Sequence, residues 1–320
     1  MSRKLYAFAA ASSLILSAGG ALVYAEEDPD YTIGICQFAQ HESLDEAARG
    51  FQDALTEKLP DRVTFDDRNA KGDYTVCTTI IGDFIAQEVD LILANSTTSL
   101  QIAATSTADI PILGTSVTEY GAALQLEDFD GTAGGNISGT SDVAPFEQQA
   151  AMIRELFPAA GQIGLLYCSA EPNSQYQADE MQENLEAAGY SCKRYTFSES
   201  NEISSVAMIA AQESDVLYIP TDNMAASNAQ LIANICMPEQ VPVVTGDEST
   251  CQICGVATLS IDYYDLGYTT GEMAVRILED GEDISAMPVE YASSFTQKYN
   301  PDVCEELGFT VPGDYEALQD

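Results

Sequence analysis

Apolar and polar positions along the chain follow the same pattern twice. Each copy opens with an apolar strand, YTIGICQF in the first and GQIGLLY in the second, and continues through a short polar turn. An amphipathic helix follows, with Leu44, Phe51 and Leu55 on one face in the first copy and Met181 and Leu185 in the second. The pattern therefore predicts an internal repeat built from strand–helix units.

The two copies stay in step over four strands. RVTFDDRNA matches SCKRYTFSES, DLILANSTTS matches DVLYIPTDNM, and IPILGTSVT matches VPVVTGDES. The offset is 130 residues from Ile33 to Ile163 and 131 residues from Pro111 to Pro242. The matched strands include short, continuous apolar runs, which are typical of parallel strands covered on both faces. The sequence predicts an α/β fold with two doubly wound lobes of parallel sheet.

The closing elements of the chain are expected to pack back across both lobes, so that neither lobe is one continuous segment. The segment GNISGTSD carries the chain from one lobe to the other and joins them as a hinge. The predicted parts are a signal peptide over 1–25, a first lobe over 26–139 completed by about 260–282, and a second lobe over 140–259 completed by about 283–320.

The composition fits a globular protein with an acidic surface. Apolar residues make up 46% of the chain, which is near the globular average, so disorder is not expected. Acidic residues number 51 and basic residues 12, giving a formal net charge of −39. A field of that sign repels phosphates and anionic lipids, so nucleic acid and membrane-surface partners are disfavoured.

The N-terminus has the pattern of a signal peptide. Arg3 and Lys4 precede an apolar stretch, and Val23 and Ala25 fit the positions that signal peptidase prefers, so we predict cleavage after Ala25. The apolar run is nearly long enough to cross a bilayer, so an uncleaved anchor is the alternative. No lipid-attachment motif occurs, since the first cysteine is Cys36. We expect an exported protein at the cell surface, in the periplasm or outside the cell.

Eight cysteines follow the predicted cleavage site. An even number in an exported chain suggests disulfides, whose pairing the sequence leaves open. Cys251 and Cys254 have C-x-x-C spacing, but no second motif of this kind accompanies them. A local disulfide or unpaired thiols are therefore favoured over a thioredoxin-type or zinc site.

Polar side chains collect where strands end and helices begin, in both copies. In open parallel sheets, ligands bind outside the carboxyl ends of the strands, so two facing rims would make a polar cleft. Hydroxyl groups ahead of a helix favour a carboxylate, and acids in the second copy supply the charge that an ammonium needs. Any one turn is explained by helix capping. Repetition in both copies favours the binding of a small zwitterion.

Motifs for catalysis or cofactor binding are missing from the sequence. His41 is its only histidine, and neither G-x-S-x-G, G-x-x-x-x-G-K-[ST] nor G-x-G-x-x-G occurs. The acidic loop EDFDGTAGG lacks the spacing of an EF-hand and is read as a turn. We therefore predict no enzyme, no cofactor and no metal site.

Six segments of the chain together resemble one known family. They are QFAQHESLDEAARGF, NISGTSDVAP, IGLLYCSAEPNS, SDVLYIPTDN, IDYYDLGYTTGEMAVRIL and YNPDVCEELGFTVP. The set resembles the ABC-transporter substrate-binding proteins that include tryptophan- and other aromatic-amino-acid-binding members, over residues 31–312. The resemblance implies a type I periplasmic-binding-protein-like fold whose hinged cleft closes on an amino acid and presents it to a membrane permease.

The resemblance also implies which side chains line the cleft. Carboxylate contacts are expected from hydroxyls and helix N-termini, and the ammonium contact from an acid. Phe38, Tyr120 and Tyr264 are candidates to stack on an aromatic ligand. The implied ligand-binding residues are Gln37, His41, Ser96, Thr97, Ser116, Ser141, Asp142, Glu171, Asn173, Asp222 and Asp247.

Three features depart from the family pattern. The lipid-attachment cysteine that relatives in Gram-positive bacteria usually carry is missing, which leaves the anchorage open. The turn NSTTS stands where many relatives have a more apolar one, which leaves the ligand open. Eight cysteines are also unusual for such a protein.

The predicted function is therefore an extracytoplasmic receptor for an ABC importer. We expect it to act as a monomer, to bind a small zwitterion such as an aromatic or other apolar amino acid, and to deliver it to a permease with its ATPase. The alternatives are a sensory protein that signals to a membrane receptor and a sugar receptor of the same fold. A redox enzyme using Cys251 and Cys254 ranks below them.

Overall fold

The computed structural model of the protein describes residues 29–318. Strands and helices alternate along most of this length. The strands are β1 (Tyr31–Gln37), β2 (Val63–Asn69), β3 (Leu91–Asn95), β4 (Ile112–Val117), β5 (Ile137–Ser141), β6 (Gln162–Cys168), β7 (Ser191–Phe197), β8 (Val216–Ile219), β9 (Val243–Thr245), β10 (Ala257–Ser260), β11 (Glu290–Tyr291), β12 (Thr296–Tyr299) and β13 (Glu316–Ala317). The helices are α1 (Glu42–Lys58), α2 (Tyr74–Gln87), α3 (Thr97–Ser106), α4 (Tyr120–Leu124), α5 (Phe146–Leu156), α6 (Pro172–Ala187), α7 (Ile203–Glu213), α8 (Asn223–Ser227), α9 (Ala229–Cys236), α10 (Glu248–Cys254), α11 (Tyr263–Leu278) and α12 (Pro301–Glu306).

The predicted signal peptide, residues 1–25, lies outside the described residues. Between residues 29 and 318, none of the helices combines the length and apolar character that a membrane span requires.

The strands form two sheets, one in each lobe. The first has the order β11-β5-β4-β3-β1-β2, with every neighbouring pair parallel. The second has the order β13-β12-β10-β9-β8-β6-β7, in which only the pairing of β10 with β12 is antiparallel. The order β2-β1-β3-β4 in the first sheet corresponds to β7-β6-β8-β9 in the second. The predicted α/β fold with two doubly wound lobes is confirmed.

Helices cover both faces of the first sheet, which explains its continuous apolar strands. Successive side chains of a strand point to opposite faces. On one face, Ile33 and Ile35 of β1 pack in a cluster with Phe51 of α1 and Met273 of α11. On the other face, Phe84 of α2 belongs to a separate cluster with β1 and β3. Both clusters are buried, so the strand must be apolar on each side.

The chain passes between the sheets three times, after β5, β10 and β11. Helix α11 follows a strand of the second sheet but packs along α1 of the first lobe, where a Cβ atom at Gly267 would lie 1.9 Å from the Ala47 carbonyl oxygen. The predicted hinge, 135–142, is largely β5 of the first sheet. The predicted closing segment of the second lobe starts near residue 283. This start is wrong for β11, because Glu290–Tyr291 pairs with β5 of the first sheet, and the chain returns to the second sheet only after it.

Candidate ligand site between the lobes

A narrow cavity of about 10 Å³ lies between the lobes, where the carboxyl ends of strands from both sheets face one another. Ligands bind at this position in open parallel sheets, and a cavity this narrow must widen to hold a ligand of amino-acid size. Six of the predicted ligand-binding residues line it, namely His41, Ser116, Asp142, Asn173, Asp222 and Asp247. The other lining residues are Leu44, Thr118, Thr221, Asn223, Ala226 and Tyr263.

Side chains from the two lobes contact each other across this cavity. The His41 Nε2 atom of the first lobe lies 3.2 Å from Asn223 Oδ1 of the second. The Gln177 amide of α6 donates a hydrogen bond to the Thr118 hydroxyl at 3.3 Å. Bonds of this length require the two rims to be in contact, so the structure has a closed cleft.

The first lobe supplies hydroxyl groups on strained backbone. Ser96 has a φ of 133° and Ser116 a φ of 53°, a region that costs a non-glycine residue on the order of 1–3 kcal/mol and is concentrated at functional sites. Ser96 caps α3 by accepting from the Ser99 N–H at 3.1 Å. The buried hydroxyls of Thr97 and Ser116 have no hydrogen-bond partner within residues 29–318. This rim therefore offers polar groups that the fold itself leaves unused.

The acidic part of the cavity lining comes from both lobes, since Asp142 follows β5 of the first sheet and Asp247 follows β9 of the second. Asp142, just after β5, accepts a 3.0 Å hydrogen bond from the Tyr263 hydroxyl through Oδ2, while its Oδ1 has no partner in the described part of the chain. Asp247 caps α10 by accepting from the Thr250 N–H at 2.9 Å through Oδ1, which leaves Oδ2 similarly unbonded. Burial raises the pKa of Asp142 to about 6, against a lowering influence from the Tyr263 hydroxyl.

Cationic side chains do not balance these acids. Among the twelve residues that line the cavity, none is lysine or arginine, and His41 is the one basic side chain. A buried carboxylate is costly unless it is paired or fully hydrogen-bonded. The acidic side of the cavity can therefore accept a positively charged group from a ligand.

Glu171 and Asp222 use their oxygens within the second lobe. Glu171 accepts from the backbone N–H of Asn223 at 3.1 Å, from the Asn223 side-chain amide at 2.6 Å and from the Met224 N–H at 2.9 Å. Asp222 accepts from the Cys168 N–H at 2.6 Å and caps α8. Burial and the neighbouring Asp222 charge raise the pKa of Glu171 to about 8. The turn SAEPNS therefore holds α8 against β6 as well as beginning α6.

Five of the predicted ligand-binding residues do not line the cavity. The Gln37 amide donates to Asp45 Oδ1 at 2.7 Å, and the Ser141 hydroxyl donates to the Thr118 carbonyl at 2.7 Å. These two side chains shape the turns that carry the lining residues. The five are Gln37, Ser96, Thr97, Ser141 and Glu171.

The three predicted stacking residues also lie away from the cavity lining. Phe38 is buried against the ring of Tyr74 in an edge-on contact. The Tyr120 hydroxyl donates to the Gly114 carbonyl at 3.0 Å inside the first lobe. The Tyr264 hydroxyl donates to an acid of α1 at 3.0 Å on the outer surface. Stacking by these side chains is therefore a wrong expectation for this cavity.

Tyr263 is the aromatic residue that sequence reasoning missed. Tyr263 is the first residue of α11, with Asp262 as the cap of the helix. Neighbouring residues on a helix point about 100° apart, so Tyr263 rather than Tyr264 faces the cavity. Thr221 and Asn223 flank Asp222 at the same strand end and also line the cavity, although only Asp222 of this turn is among the predicted ligand-binding residues.

A family model for ABC transporter substrate-binding proteins matches residues 32–318 of the chain. The chain belongs to this family. A substrate-binding protein captures its ligand without converting it, so the prediction that the chain is not an enzyme is confirmed. Substrate-binding proteins of ABC transporters are extracytoplasmic.

Individual relatives of this substrate-binding protein have aromatic amino acids as ligands. A tyrosine-binding protein from Clostridioides difficile (strain R20291) is 35% identical over 263 residues, which is 80% of this chain and 75% of the relative. The crystal structure of an ABC domain in complex with L-Trp from Streptococcus pneumonia is 30% identical, has a TM-score of 0.86, and covers 90% of this chain and 100% of its own. The similarity to this family that the sequence motifs indicated is confirmed.

A third relative is known in an open form. The ligand-free, open structure of a substrate-binding protein with adhesive properties from Clostridium difficile is 33% identical and covers 90% of this chain and 99% of its own. Its TM-score is 0.69, below the 0.86 of the L-Trp complex at the same coverage. The lobes of our protein are therefore arranged more like those of the ligand-bound relative, in agreement with the bonds across the cleft.

The C-x-x-C pair does not support the redox alternative. Cys251 and Cys254 lie in α10, where burial raises the pKa of both thiols well above the ordinary range. Thiol–disulfide catalysts need an accessible thiol of lowered pKa. All eight cysteines are thiols in the structure.

Proposed function

We propose that this substrate-binding protein captures a free amino acid with an aromatic side chain between its lobes, as the receptor of an ABC importer. The observation that carries the proposal is a cavity whose lining holds a hydroxyl and two carboxylate oxygens that have no partner in the described part of the chain. Buried polar groups in proteins nearly always have hydrogen-bond partners. A zwitterion would supply partners for both kinds of group.

The carboxylate of the ligand would bind at the first lobe. The Ser116 hydroxyl lines the cavity, and α3 begins at the same sheet edge. The first N–H groups of a helix have no partner within it, and its dipole favours an anion at this end. With no lysine or arginine in the cavity lining, these neutral donors would recognise the carboxylate.

The ammonium of the ligand would bind at the acidic side. Asp142 Oδ1, Asp247 Oδ2 and Asn173 Oδ1 are oxygen acceptors of lining residues that have no partner in the part of the chain that the structure describes. An ammonium group has three N–H donors, one for each of these oxygens. The positive charge would also offset the repulsion between the two carboxylates.

The side chain of the ligand would lie against the apolar part of the lining. Leu44, Ala226 and the ring of Tyr263 are buried there. An aromatic ring can pack on the Tyr263 ring in an offset or edge-on arrangement. The relatives with tyrosine and L-Trp as ligands support this choice over a sugar, which carries no ammonium for the acids to bind.

Ligand binding would stabilise the closed cleft. A ligand that contacts Ser116 of the first lobe and Asn173 of the second bonds to both rims only when they are close together. Such a ligand shifts the population toward the closed state by its differential affinity. We propose that the closed form then docks on a membrane permease that works with an ATPase. We also propose that the protein acts outside the cytoplasm as a monomer, after residues 1–25 have been removed.

Thermal unfolding against a panel of all common amino acids and several sugars tests the proposal. Ligand at one hundred times its Kd stabilises a protein by about 2.7 kcal/mol, so L-tyrosine or L-tryptophan should raise the melting temperature by roughly 5 °C. Asp142→Asn should reduce the shift. Asp109→Asn removes an exposed acid at the opposite end of the first sheet and should leave it unchanged. A shift with sugars alone, or with no compound of the panel, would count against the proposal.

A further inference from the structure

Two buried cysteines of the first lobe lie in contact beneath the ligand cavity. Cys36 is the penultimate residue of β1 and Cys77 is in the first turn of α2. Their sulfur atoms are 3.4 Å apart, and both residues are 0% exposed. The Ser99 hydroxyl of α3 lies 3.7 Å from the Cys77 sulfur and 3.8 Å from the Cys36 sulfur. The three side chains form one small polar cluster within an apolar core.

Both sulfur atoms are brought together by regular elements. Cys36 points from β1 toward α2, and α2 begins at a cap in which Asp73 accepts from Thr75 and Val76. This cap fixes the first turn of α2 over the end of the strand. The sulfurs need to approach by about 1.4 Å to reach the bonded distance. Side-chain rotation can supply part of such a shift without moving either backbone.

We infer that Cys36 and Cys77 form a disulfide when this protein is in an oxidising extracytoplasmic environment. Disulfides form and persist outside the cytoplasm, where the family acts. Two S–H bonds break and one S–S bond forms. Two electrons and two protons pass to a disulfide oxidant, such as oxidised glutathione or an oxidising thiol–disulfide protein, whose own S–S bond breaks to give two thiols.

The environment of the pair favours this reaction. The Cys36 thiol donates toward the Cys77 sulfur, and this hydrogen bond lowers the pKa of Cys77 below its ordinary value. A thiolate is the form that attacks a disulfide. During folding, while both sulfurs are still accessible, one of the two thiolates attacks the oxidant, and the other sulfur completes the exchange.

The disulfide would constrain the base of the first-lobe rim. It closes the loop between Cys36 and Cys77, which are 41 positions apart in the sequence. Tyr74, one turn before Cys77, reaches the second lobe through a 3.4 Å hydrogen bond from its hydroxyl to the Ala170 carbonyl. Ser99 belongs to the first turn of α3 beside the cavity. The bond would thus tie β1 and α2 together under the turns that close on the ligand.

Peptide mapping of the whole chain tests the inference without any variant. The protein is refolded in a glutathione redox buffer, its free thiols are blocked with a maleimide in denaturant, and its peptides are mapped by mass spectrometry. The peptides of Cys36 and Cys77 should be joined, and the six other cysteines should carry the label. Label on Cys36 and Cys77, or a bond joining other cysteines, would overturn it.

Thermal unfolding gives a second test. Chain-entropy estimates for a loop of this length predict that the protein refolded with reductant melts roughly 5–10 °C below the protein refolded in the redox buffer. Cys77→Ser should abolish the difference. Cys192→Ser, in β7 of the other lobe, is the matched control and should keep it. A wild-type midpoint that does not depend on the redox state would overturn the inference, whatever the ligand proves to be.

Discussion

Replacing Asp142 by asparagine should remove a pH dependence from ligand binding. Burial in the closed cleft raises the pKa of Asp142 to about 6, so the closed form without ligand holds this group mostly protonated near pH 5 and mostly ionised near pH 7. An ammonium ligand binds the ionised form and lowers the pKa again. Binding therefore releases a proton when the pH is below about 6, and the affinity must fall as the pH falls.

The size of the effect follows from the fraction ionised. With a pKa of about 6 in the closed form without ligand and an ordinary value in the complex, the Kd should be about tenfold weaker near pH 5 than near pH 7. Asp142→Asn cannot ionise, so its Kd should change little over this range. The variant should bind more weakly than the wild type near pH 7 and approach it near pH 5.

Titration with L-tryptophan provides a direct assay. The chain contains no tryptophan, so fluorescence excited at the red edge of the indole absorption band comes from the ligand alone. His41 also lines the cavity, so the comparison with Asp142→Asn isolates the carboxylate. Asp109→Asn should keep the wild-type profile. A flat wild-type profile, or an equal slope in Asp142→Asn, would refute the reasoning.

Three further outcomes are expected. Gly267→Ala places a Cβ atom 1.9 Å from the Ala47 carbonyl oxygen, so it should lower the free energy of unfolding, measured with urea, by about 2–3 kcal/mol. Gly82→Ala is the control, since open space surrounds this position in α2, and it should be neutral or stabilising. Ser116→Ala should weaken binding roughly tenfold by calorimetry, since one donor to a charged group is lost. The free energy of unfolding without ligand should fall as the pH rises from about 4.5 to 8, because Glu171 binds a proton more tightly in the folded protein than in the unfolded chain. Thermal melts of Glu171→Gln should show a smaller dependence on pH.

The repeat in the sequence predicts the arrangement of the two sheets. Strands that occupy equivalent places in the repeat, such as those containing Ile33 and Ile163, lie at equivalent places in their sheets. This works because a buried parallel strand must be apolar on both faces, a requirement visible in a single sequence. The same rule places the polar turns at the strand ends, and hence the position of the cavity.

Other features depend on contacts that no local pattern contains. The two residues of β11 join the first sheet by pairing with β5, which is far away in the sequence. So short a segment carries no pattern that predicts this pairing. Whether Tyr263 or Tyr264 faces the cavity depends on a one-residue difference in where α11 begins. Glu171 looks like a free acid in the sequence, but α8 folds over it and occupies its oxygens.

Calorimetric titration of the ligand-stripped protein with L-tyrosine, L-tryptophan and glucose tests the central claim most directly. The account predicts one site per chain for at least one of the two aromatic amino acids, with a negative heat-capacity change from burial of the ring, and no binding of glucose. Saturable binding of glucose, or the absence of heat with both amino acids across several temperatures, would contradict it.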